Sequence, residues 1–281
     1  MSKQIETLVE DIYALFSQEE PFDVTLFRQF GDNLHELMES RFHTKRSGKG
    51  YLRMSNIGRP DRQLWYDINS TGDKEPLLPP TLIKFAYGDL IEQMILLYAK
   101  MAGHEVEQEQ AEVEVDGIQG HIDAIIDGVL VDVKSASSFS FQKFDTGALF
   151  EPGNDPFGYV AQICGYMVAT GCKRGGFLAV DKTLGKICFC EIPPEVVARY
   201  KVHERIAHIK AVVSSPDLPP RCYPDVPDGK SGNMKLDTGC SYCPHKFTCW
   251  PDLKTYFYST GPRYLTKVVR EPRVQGDFND L

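Results

Sequence analysis

Apolar residues recur at helical spacing over 3–17 and again over 23–42, where Phe27, Phe30, Leu34 and Leu37 or Met38 form one stripe behind Asp23, a side chain suited to cap the first turn. A third helix is predicted over 82–102, ending at Gly103 as a left-handed cap. Beyond it the period shortens to two. Residues 111–135 read as three strands joined at Asp116-Gly117 and Asp127-Gly128, because Asp-Gly between alternating apolar residues is the strongest short-range hairpin signal. A helix is expected over 156–170, a strand pair over 176–192 and a long helix over 194–213, after which Pro, Gly and Cys dominate. This succession predicts an α/β chain in three parts: an N-terminal helical extension (1–50), a mixed-sheet core flanked by helices (51–214), and a Cys-rich appendage (215–281) packed on that core with little core of its own.

The second hairpin carries the most information. A two-residue turn at Asp127-Gly128 sets the register, so Ile126 faces Val129, Ile125 faces Leu130, Ala124 faces Val131 and Asp123 faces Asp132. Facing residues have Cβ atoms about 4.5–5.5 Å apart, where like charges repel. Two facing carboxylates in an apolar hairpin make sense with a cation between them. Alternation also puts Leu130, Asp132 and Lys134 on one face and Val129, Val131 and Val133 on the other. An exposed Asp132–Lys134 surface pair is the bland reading. The branched residues speak against it, since they predict a strand buried on both sides, where unpaired charge is costly.

An Asp followed on the next strand by Asp-x-Lys resembles the core motif of the PD-(D/E)XK nuclease superfamily, with Ile122 where many members have Pro. The resemblance implies a restriction-endonuclease-like fold and metal-assisted phosphodiester hydrolysis. Asp123, Asp132, Glu92 and the carbonyl of Val133 would hold Mg²⁺ or Mn²⁺, and Lys134 would assist the attacking water. Glu92 enters through Gly88-x3-Glu92, which resembles the acidic position on the helix before the hairpin; Gly88 would allow a close backbone approach. Gln162 and Tyr166, four residues apart, resemble the Gln-x3-Tyr motif of the RecB-type exonuclease branch, which is related to iron–sulfur nucleases of CRISPR adaptation and to phage exonucleases. That motif implies that Gln162 supports the active site and Tyr166 approaches DNA. The expected activity is a DNA exonuclease of recombination, repair or phage replication. A structure-specific endonuclease or end-trimming accessory nuclease is the alternative, and a non-catalytic DNA-binding module is the alternative of another class.

Composition adds limits. With 281 residues, 42% hydrophobic and 25% charged, the chain is neither a disulfide-stapled miniprotein nor a disordered tail. A formal charge of −8 argues against nucleic-acid binding over the whole surface. Yet 41–62 holds seven basic residues (Arg41, Lys45, Arg46, Lys49, Arg53, Arg59, Arg62) against the single acid Asp61. That segment is either a solvated loop or a phosphate-contacting arm. No apolar run is long enough for a membrane span, and MSKQIETLVEDIY has no signal-peptide pattern, so a cytoplasmic protein is expected, in the host cytoplasm if phage-encoded. DNA is the expected partner; a homo-oligomer or a larger DNA-processing complex stays open.

In a reducing compartment, eight cysteines point to metal rather than disulfides. Cys240, Cys243 and Cys249, separated by two and then five residues, suit zinc or an iron–sulfur cluster. The triplet resembles that of the iron–sulfur nucleases, whose fourth ligand is a Cys just before an Arg; here Asp61 stands before Arg62. Cys222 is the natural substitute, Asp61 a lesser option, and His245 a ligand for zinc instead. The resemblance favours a structural [4Fe–4S] cluster, with Zn²⁺ as the alternative. Cys164, Cys172, Cys188 and Cys190 lack ligand spacing and read as packing residues. His203 and His208 are one residue too far apart for a zinc-protease helix, Gly229-Lys230-Ser231 has Pro224 where a phosphate loop needs Gly, and Gly48 and Gly50 do not follow a strand.

Overall fold

The computed structural model describes residues 3–19, 22–43, 50–70 and 79–274. By their contacts they form two compact units, Met1–Gly58 with Leu77–Ala207, and Arg59–Pro76 with His208–Leu281.

In the first unit, α1 (Leu8–Ala14) is lengthened by a 3₁₀ turn at either end (Ile5–Thr7, Leu15–Ser17), making one helical run. Helix α2 (Val24–His43) starts where Asp23 Oδ1 accepts the Thr25 amide at 2.8 Å. Helix α3 (Asp61–Asn69), which the apolar pattern did not predict, groups with the second unit. Helix α4 (Pro79–Met101) leads into the strands. These are β1 (Val106–Glu107), β2 (Glu112–Val115), β3 (Ile118–His121), β4 (Ala124–Ile126) and β5 (Val129–Ala136). Then come α5 (Ser138–Asp145), α6 (Tyr159–Thr170), β6 (Gly175–Asp181), β7 (Ile187–Glu191) and α7 (Pro194–Arg199). Helix α8 (Val202–Ser214) gives its first residues to this unit and the rest to the other.

The sheet is five-stranded, ordered β1-β4-β5-β6-β7, with β5 and β6 parallel and the other pairs antiparallel. It is a mixed sheet flanked by helices, consistent with a restriction-endonuclease-like fold. Helices α5 and α6 form the crossover that a parallel β5–β6 pair requires. On one face, Ile5, Leu8 and Ile12 pack with Ile95, Leu96 and Ala99 of α4 over Val129, Val131 and Val133. The N-terminal helix is thus part of this core. On the other face, Phe144 of α5 meets Phe177 of β6 edge-on at 5.6 Å.

Three expectations need correction. The middle strand of the expected three is two strands, because the chain changes partners at Ile122-Asp123: β3 pairs with β2 in a separate hairpin and β4 pairs with β5. The long helix over 194–213 breaks at Tyr200, whose backbone is extended (φ −82°, ψ 106°), although no Gly or Pro marks the spot. The Cys-rich segment, read only as Pro-, Gly- and Cys-rich chain, contains a sheet. Strands β8 (Val226–Pro227), β9 (Met234–Lys235), β10 (Lys254–Tyr258) and β11 (Gly261–Lys267) form an antiparallel sheet ordered β10-β11-β9-β8. Leu64, Leu236 and Leu265 are buried in that unit. The two-residue strands β8 and β9 are too short to show a period, while β10 and β11, of five and seven residues, were not singled out by the pattern. Two single-turn helices, α9 (Thr238–Ser241) and α10 (Lys246–Cys249), carry the Cys triplet. Among the described residues no helix is long and apolar enough to cross a membrane.

Candidate active site

Strand β5 positions the site by alternation alone. Its valines turn to the α1/α4 face, while Asp132 and Lys134 point to the α6 face. Asp132, almost fully buried, has Oδ1 bonded by the Gln162 side-chain amide at 3.0 Å, and its Oδ2 is in an ion pair with Lys134. That same Oδ2 completes no hydrogen bond of ordinary geometry among the described residues. Lys134 Nζ lies 4.8 Å from the centre of the Tyr159 ring, so the ammonium is held between a carboxylate and an aromatic face.

Asp123 does not take the facing position in the ladder. The β4–β5 pairing ends at Ala124–Val131, and one residue earlier Asp123 turns its Oδ2 onto the Val133 amide at 2.7 Å. This arrangement keeps it beside Asp132 while satisfying an amide that the ladder has left. Glu92 comes from α4 and is bonded by the Gln110 side-chain amide at 2.5 Å; the Gln110 backbone N–H donates to the carbonyl of Asp123 at 3.2 Å. Gln110 has positive φ (53°). It therefore ties the two carboxylate-bearing segments together, a role no sequence signal announced. Tyr159 was also missed, though its position i, i+3 and i+7 with Gln162 and Tyr166 places all three on one face of α6. Gly88 is not required for close approach. A Cβ there would lie 3.5 Å from Ser135 Oγ, an ordinary contact.

Tyr166 is 3% exposed, packs on the backbone of Gly120 and is hydrogen-bonded with Gln162. Its hydroxyl is thus turned inward to Gln162, whose side-chain amide in turn bonds Asp132. Burial, reinforced by Asp132, pushes its hydroxyl up to about 12.

The electrostatics are those of crowded acids. Burial and then the charge of Asp132 push Glu92 up to about 7, and burial, Asp132 and Glu92 push Asp123 well above the usual carboxylate range. Burial alone would favour a neutral Lys134, but attraction to Asp132 and Asp123 outweighs it and holds the ammonium charged. When ionised, the three carboxylates outnumber the one ammonium, and as hard oxygen donors they suit Mg²⁺ or Mn²⁺, whose charge would relieve the crowding that raises Glu92 and Asp123. Among the described residues no three His, Cys, Asp or Glu side chains stand at coordinating distance, so binding requires side-chain adjustment.

A pH test follows. A carboxyl whose folded pKa is raised adds stability that is fully present below its unfolded value and is lost as pH rises through the folded value. For Glu92 that window runs from 4.5 to about 7. Metal-free Glu92→Gln is expected to lose less stability than the parent between pH 5 and 7.5 in paired denaturant titrations. Equal losses would refute the raised pKa.

The described basic residues of 41–62 fall in both units. Lys45, Arg46 and Lys49 lie outside the described residues. Arg41 is ion-paired with Asp89 of α4, and Arg53 lies 5.5 Å from the Tyr51 ring centre. In the second unit, Arg59 approaches Asp67 at 3.8 Å, and Arg62 donates to the Pro219 carbonyl at 2.6 Å. Each described member thus has a protein partner.

In the second unit Cys222, Cys240, Cys243 and Cys249 line one cavity. Backbone amides of Gln63 and Arg62, in the first turn of α3, hydrogen-bond to the Cys222 thiol, and the His245 amide bonds to Cys243. Burial, then the neighbouring Cys222, Cys243 and Cys249, pushes Cys240 up to about 12, and burial pushes Cys243 up to about 11. Arg62 Nε and Trp250 Nε1, on residues of the cavity wall, are buried donors without a hydrogen-bond partner among the described residues. A set of anionic sulfurs would satisfy them. Asp61 turns instead to His208, 2.6 Å from its Nε2, which disfavours it as a ligand. His245 stacks on Tyr66 at 5.3 Å and places Nε2 2.9 Å from Asp67, leaving only its other ring nitrogen for a metal. Cys164, Cys188 and Cys190, whose thiols burial pushes up to about 12, 12 and 11, are not among the residues that line this cavity.

No protein-family model matches the chain, and no curated protein matches it. Among solved structures, it is similar to an alkaline exonuclease (LHK-Exo) from Laribacter hongkongensis at 16% identity and a TM-score of 0.36, covering 57% of this chain and 91% of that one. It is also similar to a phage related exonuclease from Haemophilus somnus 129PT at 18% identity and a TM-score of 0.40, covering 63% of this chain and 96% of that one. Likeness at this level carries no inference about activity.

Proposed function

We propose that this protein is a divalent-metal-dependent DNA nuclease acting as an exonuclease, with its reaction centre in the first unit. One observation carries the reading: Asp132 is held by Lys134 and Gln162 while Asp123 and Glu92, each fixed by its own hydrogen bond, crowd against it in a buried setting. Glu92, Asp123, Asp132 and the carbonyl of Val133 would hold Mg²⁺ or Mn²⁺. When bound, the ion supplies a water acidic enough to deprotonate near neutral pH and neutralises charge on the scissile phosphate. Gln162 orients Asp132, and Tyr166 orients Gln162. Lys134, kept charged by its neighbours, offers an ammonium to the attacking water or to a developing phosphoryl charge. The exonuclease reading and the RecB-type branch rest on the Gln-x3-Tyr resemblance.

The four thiols of the second unit support a structural [4Fe–4S] cluster, with Zn²⁺ as the alternative; iron, sulfide and zinc content after anaerobic purification decides between them. For the activity, the experiment is degradation of end-labelled linear DNA beside a closed circle of the same sequence, with Mn²⁺, Mg²⁺ or chelator. Metal-dependent loss of the linear form with the circle spared supports the exonuclease. Nicking of the circle would make the enzyme an endonuclease, and DNA binding without cleavage under either metal would overturn the nuclease reading.

A further inference from the structure

Large apolar rings stay in water on the elements that build the site. Phe139, in the first turn of α5 and five residues beyond Lys134, is 76% exposed, although Phe141 and Phe144 of the same helix are buried. Phe85 is 46% exposed on α4, seven residues before Glu92 and on the same helix face, about 10 Å along the axis. Tyr51 is 63% exposed; its carbonyl is bonded by the side chain of buried Asn56, next to Met54, which packs against Gly165 of α6. Phe139 and Phe85 thus stand five and seven residues from Lys134 and Glu92 on the same elements or the next, and Tyr51 is tied through Asn56 to the turn whose Met54 packs on α6.

Two of the rings have a cation alongside. Arg53 lies 5.5 Å from the centre of Tyr51, and Lys143 lies 5.9 Å from that of Phe139. An apolar protein partner covering these rings would strip water from both cations without returning a counter-charge. A nucleic-acid strand with unpaired bases meets both needs, since bases stack on the rings and the phosphates lie beside Arg53 and Lys143. Paired bases in a duplex present no free face to a ring.

We infer that Phe85, Phe139 and Tyr51 form a stacking rim that leads unpaired nucleotides to the carboxylates, so that the substrate is a single strand or the frayed end of a duplex. This deepens the nuclease reading and rests on it for direction only. Binding of the full-length protein to a labelled single-stranded oligonucleotide and to the same sequence as a blunt duplex, in Ca²⁺, tests it. Phe139→Ala and Phe85→Ala should each weaken single-strand binding about tenfold, with little change on the duplex, and Phe139→Trp should retain it. Unchanged single-strand affinity in both alanine variants, or equal losses on both DNAs, would overturn the inference. Hydrolysis of bis(4-nitrophenyl) phosphate by the unsubstituted protein with Mn²⁺ reads the catalytic proposal separately. The rim can thus fail while the nuclease stands, and the nuclease can fail while the rim stands.

Discussion

Asp132→Asn is expected to lower metal-dependent DNA cleavage by roughly 10²–10⁴-fold, the largest loss of any single substitution in the chain. Asparagine has nearly the same shape, so the packing of β5 against α6 is retained. It removes the negative charge that pairs Lys134, and it presents one oxygen where the carboxylate has two. Lys134 then remains as a largely buried ammonium whose remaining attraction to carboxylates comes from Asp123 and Glu92. Two measurements separate a chemical defect from a folding defect. Cleavage of end-labelled DNA should collapse, while the far-ultraviolet spectrum stays that of the parent. The increase in melting temperature that Mn²⁺ gives the parent should shrink at the same time, because a ligand that binds only the folded state stabilises in proportion to its affinity. A variant that keeps both its activity and its metal response would remove Asp132 from the centre of the mechanism. Lys134→Ala with intact cleavage would do the same for the ammonium.

The second large effect is on stability, at Gly158. This residue caps α6 with φ +77°, a left-handed conformation that costs other residues about 1–2 kcal/mol. A Cβ there would also meet the backbone of Gly58 at 2.5–2.8 Å, and backbone cannot step aside as a side-chain tip can. Overpacking adds about 1–3 kcal/mol. Gly158→Ala should therefore cost about 3 kcal/mol and lower the melting midpoint by roughly 6–12 °C. Gly171→Ala is the control. It shares the left-handed φ (+73°) with nothing within 4 Å of an added Cβ, so it should cost only the conformational part. Equal destabilisation by the two would show that the Gly58–Gly158 approach is unimportant. Because Gln162 lies one turn into α6, Gly158→Ala should also reduce cleavage more than Gly171→Ala does, even below the melting range of either variant.

The site was legible where local chemistry decides geometry. The Asp127-Gly128 turn determines the register of β4 on β5 over three residue pairs, and alternation then sends Asp132 and Lys134 to one face. The four-residue spacing of Gln162 and Tyr166 places both on one side of α6 wherever the helix packs. Legibility ended where chain-distant groups meet. Counting outward set Asp123 opposite Asp132, but β4 stops one residue short because the preceding strand belongs to another hairpin, and the carboxylate turns onto the Val133 amide. Gln110 carries no periodic signal, since its role arises from a left-handed turn between α4 and β2. In sequence the basic run at 41–62 left a solvated loop and a phosphate-contacting arm both open, because neighbours along the chain need not be neighbours in space. Contacts divide it, with Arg41 on Asp89 and Arg62 in the second unit.

What the sequence determined by itself is thus the set of reactive groups, the hairpin that displays them and the spacing of the thiols, all consequences of neighbours within a few residues. Tertiary structure decided what the sequence offered only by resemblance, that Glu92 stands within reach of the aspartates' charge and Cys222 near the triplet at the first turn of α3, and it alone decided that Tyr166 is buried behind Gln162. Those outcomes depend on which faces exclude water together. No window of local sequence contains that information, because burial is a property of the packed chain.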